Sequence, residues 1–110
     1  MTKAQFDAFY AAFVQQMNAD ITSKNADYAG GNADPFFNFR AIERLGLCSA
    51  EVGVMTRLMD KMGRAASLLT GNKPQVVTEK LQDTLRDAAN YCVVLAALIE
   101  VKNGHQKDAG

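Results

Sequence analysis

Twelve residues near the end of the chain, "AANYCVVLAALI" from Ala88 to Ile99, are apolar nearly all the way round a helix. A helix of that kind is buried on most of its sides. The run is too short to cross a bilayer, which needs about 20 apolar residues, and no other apolar run comes closer. The chain must therefore surround this helix with other helices, its own or those of another copy. Its 110 residues suggest one domain. A domain this short buries only part of its surface, so a larger core often requires self-association.

The rest of the chain supplies helices. Phe6, Phe9, Tyr10, Phe13, Val14 and Met17 recur at helical spacing, which predicts a first helix from about Thr2 to Lys24 with this stripe in the core. "AGGNA" then turns the chain. "DPFFNFRAIERLG" restarts it, with Asp34 at the N-cap, Pro35 at the first helical position and Gly46 as the stop. A third helix is capped by Ser49 and closes near Gly71. Its apolar stripe is Val52, Met55, Met59, Met62, Ala66 and Leu69. After the turn "GNKPQV", a fourth helix starts at Thr78 and contains the apolar run. The expected fold is all-α: four helices over residues 1–104, two of them long and antiparallel, no β-sheet, and a disordered tail over 105–110.

Several function classes drop out. Twelve basic residues balance twelve acidic ones, so the field that long nucleic acids select is missing. The N-terminal stretch carries acidic and polar residues among its apolar ones and does not read as a signal peptide. Cys48 and Cys92 lie far apart and form no CxxC, which fits a reduced, cytoplasmic protein without a membrane anchor. The one histidine, His105, falls in the tail, so neither cysteine has a histidine base. Cys92 reads as a small core residue. No phosphate-binding glycine loop is present.

Carboxylates remain. Glu79, Asp83 and Asp87 stand at i, i+4 and i+8, with Asn90 three further on, in one row on the fourth helix. The row runs into the apolar segment, so its last members sit at the edge of a buried region and need compensation. On the third helix, Arg57, Asp60, Lys61 and Arg64 form a second row. If the two helices pack antiparallel, the rows face each other. One outcome is an ion-pair network of Arg57 and Arg64 with Asp83 and Asp87. The other is a cation held by oxygen ligands from Asp60, Glu79, Asp83 and Asp87, which favours Mg²⁺ (or Mn²⁺) shared with a substrate's phosphates, while the nearby cations meet the same phosphates.

The segment "KNADYAGGNADPFFNFR", Lys24 to Arg40, concentrates aromatics, asparagines and glycines between helices. Phe36 and Phe39 read as core. Lys24, Tyr28, Asn38 and Arg40 read as groups that could stack on a base, read its edge and hold phosphate, with Asn90 joining them.

Taken together, "KNADYAGGNADPFFNFR", "TRLMDKMGRAASLL" and "EKLQDTLRDAANY" resemble the nucleotide modification associated domain 1 family of phages and bacteria. That family is similar to the all-α, MazG-like nucleoside triphosphate pyrophosphohydrolases. The likeness covers about residues 24 to 100. It implies a dimer or tetramer and a Mg²⁺-dependent attack of water on a nucleotide's α-phosphorus, releasing a monophosphate and pyrophosphate. In that reading Asp60, Glu79, Asp83 and Asp87 hold the metal, while Arg57, Lys61 and Arg64 stabilise phosphate charge. Such enzymes usually carry an ExxE on one helix and an ExxD on the next. Arg57, Asp60 and Lys61 stand where the first would be, with one carboxylate instead of two. The alternative on the same scaffold is a binding protein that captures a nucleotide or cyclic nucleotide without turnover, as a sponge or inhibitor of host defence would.

Overall fold

The computed structural model describes residues 1–29, 34–71 and 74–104, with the side chains of all these except 25–29 and 74–79. Four helices follow one another, α1 Lys3–Ala29, α2 Phe37–Arg44, α3 Ala50–Thr70 and α4 Pro74–Lys102, and there is no strand among the described residues. The all-α expectation is met. The tail over 105–110 and the glycine turn over 30–33 lie outside the described residues.

The punctuation explains most boundaries. Ser49 is the N-cap of α3, its hydroxyl accepting the Val52 N–H at 3.2 Å. Gly46 takes a positive φ of 75° just past α2, a conformation that glycine adopts without Cβ strain. Two starts differ from expectation. Asp34 does not cap a helix at Pro35. Its carboxylate accepts the Phe36 N–H at 2.9 Å, so Asp34 to Phe36 form a turn and α2 begins at Phe37. On α4 the helix starts at Pro74 rather than Thr78. Proline suits a first helical turn, where the missing N–H has no helical partner to lose. Helix α1 runs on through residue 29 instead of stopping near Lys24.

Helices α3 and α4 pack along each other, α2 lies on α3, and α1 touches α4 and α2. The core joins Phe36, Phe39, Ala50, Val54, Tyr91 and Leu98, so the two phenylalanines are core as expected. Small residues set the α2–α3 approach. A Cβ built on Gly53 would stand 3.7 Å from the Phe39 ring. Glu43 ties α2 to the start of α3 by accepting the Ala50 N–H at 2.9 Å.

The apolar stripes do not lie where the sequence places them. On α3 the buried residues are Ala50, Gly53, Val54 and Ala65. The expected stripe, Val52 with Met55, Met59, Met62 and Leu69, is exposed. Its period is right, but the face turned inward is the one with small residues, which let α4 and α2 come close. On α1, Phe6, Phe9, Tyr10 and Val14 are exposed as well. That helix meets the others through its later turns, around Met17 to Lys24, and its first turns carry exposed side chains. Cys92 is likewise exposed rather than core, because its side of α4 faces away from both α1 and α3.

Candidate functional site

Antiparallel packing of α3 and α4 brings the two charged rows together on the side where α1 lies. The contact is Asp87. One oxygen accepts from Lys24 Nζ of α1 at 2.5 Å and the other pairs with Lys61 Nζ of α3 at 3.2 Å. All three side chains are partly buried. Burial pushes the Asp87 carboxyl up, but hydrogen bonds from Lys24 and Lys61 outweigh it and hold the group below its ordinary value of 3.8. The carboxylate at this crossing is therefore charged, and it locks three helices to one another.

A second pair closes the α1 side. Arg86 Nε donates to Asp20 at 2.6 Å and Arg86 Nη2 to Asp83 at 3.0 Å. The hydrogen bond from Arg86, helped by Gln16, lowers the Asp20 carboxyl, and the same contact raises Arg86. Next to these pairs an open groove of about 210 Å³ is lined by Arg64, Lys80, Asp83, Thr84 and Asp87. Lys24, Lys61, Arg64, Lys80 and Arg86 thus bring five positive charges to the three carboxylates of Asp20, Asp83 and Asp87. The groove's own lining balances Arg64 and Lys80 against Asp83 and Asp87; with the adjoining Lys24, Lys61, Arg86 and Asp20 counted, the surplus among the described side chains is positive, which suits an anion.

The expected residues separate into groups. Lys24, Lys61, Arg64, Asp83 and Asp87 come together as just described. The ion-pair network exists, with Lys24, Lys61 and Arg86 in the places assigned to Arg57 and Arg64. Asp60 and Arg57 are exposed on α3, and Asp60 does not line the groove. Asn90 is buried and donates its Nδ2–H to the Met17 carbonyl at 3.1 Å, so its amide fixes α1 on α4. Arg40 lies at the other end of the hairpin, in a recess with Ser49, Glu51 and Lys102. It reaches Glu43 at 3.5 Å and covers the Phe36 ring. Asn38 is exposed on α2. The side chains of Tyr28 and Glu79 lie outside the described residues, although Glu79 stands one turn before Asp83 on α4.

The expected Mg²⁺ set includes Glu79, whose side chain lies outside the described residues. Among the described residues no three carboxylate, histidine or cysteine side chains converge, and both oxygens of Asp87 accept from lysines. Sequence reasoning missed Asp20, Lys80, Thr84 and Arg86. Asp20 and Lys24 had a signal: an acid and a base, four apart, interrupt the apolar line that continues from Phe13 and Met17.

Among the described residues no helix is long and apolar enough to cross a membrane. Comparison of the chain with protein-family models, curated proteins and solved structures finds no match.

Proposed function

We propose that the α3–α4 groove binds the phosphate groups of a nucleotide, and that the chain works as a nucleotide-binding protein in a homo-oligomer, a dimer or tetramer on a MazG-like scaffold. The observation that carries this is Asp87 held between Lys24 and Lys61. Each ammonium has three donors, and one contact to Asp87 leaves others for a phosphate oxygen. Arg64 and Lys80 stand at the groove mouth, where a guanidinium can grip a phosphate through two N–H groups. Phosphate then competes with Asp87 for the lysines, so the carboxylate tunes affinity downward.

A second reading is Mg²⁺-dependent pyrophosphohydrolysis. It is favoured by the α4 helix itself, which carries Glu79, Asp83 and Asp87 on successive turns of one face. One experiment separates the two. The protein is incubated with a panel of mono-, di-, tri- and cyclic nucleotides, with and without Mg²⁺, and both retained ligand and released pyrophosphate are measured. The binding reading expects retention without release, and tighter retention in Asp87→Asn, where both lysines lose their internal acceptor. The hydrolase reading expects Mg²⁺-dependent release that Asp87→Asn abolishes. No retention of any nucleotide and no release would defeat both.

A further inference from the structure

We infer that the bare flank of the α3–α4 hairpin is a self-docking surface, covered by the same flank of a second copy. This rests on the self-assembly proposed above and names the surface that produces it.

The two exposed stripes fall on one side of the hairpin. Residues advance about 100° around a helix. On α3, Val54, Leu58 and Ala65 form the line toward α4. Lys61 lies on one flank of that line, and Met55, Met59 and Met62 lie on the other. On α4 the corresponding line is Thr84, Ala88, Tyr91 and Leu98. Asp87 lies on one flank of it, and Leu85, Cys92 and Ile99 on the other. Lys61 meets Asp87, so their two flanks are the same side of the hairpin, the one where α1 packs. The stripes therefore share the opposite side. There Met59 is 59% exposed and Leu69 70%, with Leu85, Cys92 and Ile99 exposed beside them.

Three observations make the occupant a second copy. First, the two stripes carry no charge, from Val52 to Leu69 on α3 and from Leu85 to Ile99 on α4. A surface without charge, two helices wide and more than four turns long, complements itself about a two-fold axis. Two such hairpins make a four-helix layer, and methionines fill its irregular gaps. Second, the chain exposes 7575 Å², whereas a folded chain of 12.0 kDa is expected to expose about 6,000 Å². Third, its radius of gyration is 16.1 Å, against about 13 Å for a compact chain of this length. The surplus, on the order of 1,500 Å², is spread over the whole chain, and it is of the size that one partner of an obligate dimer covers. The first turns of α1 contribute to it. They leave from the other side of the hairpin, so mutation can separate the two surfaces.

The test is sedimentation velocity over a range of concentrations on wild type, Met59→Glu and Phe9→Glu. Met59 is exposed in the single chain, so its change spares the fold while placing a carboxylate in the middle of the proposed interface. The expected result is a wild-type dimer or larger, a roughly hundredfold or greater weakening in Met59→Glu, and association retained in Phe9→Glu. A wild type that is a single chain throughout would overturn both the self-assembly and its surface. An oligomer that survives Met59→Glu but is lost in Phe9→Glu would overturn the surface alone and move the contact to α1. A peroxide-oxidation series on wild type, read by mass spectrometry, guards against a variant that fails to fold. Met55, Met59 and Met62 protected relative to Met1 supports the inference, and oxidation of all four at one rate overturns it.

Discussion

The two flanks of the α3–α4 hairpin differ in what they expose. One holds Lys61, Asp83 and Asp87, ordered by their pairing with each other and with Lys24 and Arg86 where α1 overlies them, with Arg64 exposed beside them. The other holds Met55, Met59, Met62 and Leu85, which are exposed among the described residues. The charged flank is thus covered by α1 around Asp87 and open at the groove, whereas the apolar flank is open along its length. Charges can be covered when each meets a partner; methionines can be left open in one chain when another copy covers them. Helix α3 serves two directions, toward α2 and toward α4, and in the self-docking proposed above a third, toward a neighbour.

The largest expected loss comes from the line between the flanks. Leu98 is fully buried, and Leu98→Ala should cost about 2–5 kcal/mol by leaving a cavity, measured by urea unfolding at one protein concentration. A cost under about 1 kcal/mol would mean that the hairpin is looser than described. Next is the charged flank. Asp87→Asn should cost about 1–2 kcal/mol, since it weakens two hydrogen bonds to charged donors. The effect should depend on pH. The Asp87 carboxyl titrates below 3.8 in the fold, so its contribution is complete above that value and fades as pH falls through the lowered one. Thermal melts of wild type and variant should therefore converge in acid and separate near neutrality. A difference that grew toward low pH would contradict the pairing.

Smaller effects probe the ends. Ser49→Ala removes the α3 cap and should cost about 1 kcal/mol, read from the same urea curves. Gly53→Ala should be the mildest. The added methyl would meet Phe39, Ile42 and Cys48 at 3.7–4.0 Å, ordinary contact distances, and alanine favours the helix by up to about 1 kcal/mol. Stability equal to wild type or slightly higher is expected; a loss of several kcal/mol would show that α2 sits closer to α3.

Helix number, the Ser49 cap and the stops at Gly46 and Gly71 were legible because each rests on local chemistry. The inward face of α3 was not. Periodicity reports every apolar stripe, whereas contact is decided by fit, and Ala50, Gly53 and Ala65 fit where methionines do not. At the site, the α4 row and Lys61 were legible from spacing, because helical period and an antiparallel turn suffice to oppose them. Arg86 with Asp20 was not, since that pair joins residues 66 apart in sequence. Arg40 had a local clue in Glu43, three residues on, and the two do meet.

The central claim is that the charged flank receives phosphate. Arg64 tests it most directly, because it is exposed and lines the groove without belonging to the pairs that hold Asp87. Calorimetric titration of the best-retained nucleotide into wild type and Arg64→Ala, at matched ionic strength, should show affinity reduced roughly ten- to a hundredfold with the ligand-free melting temperature unchanged. Equal affinity in the two proteins would contradict the account.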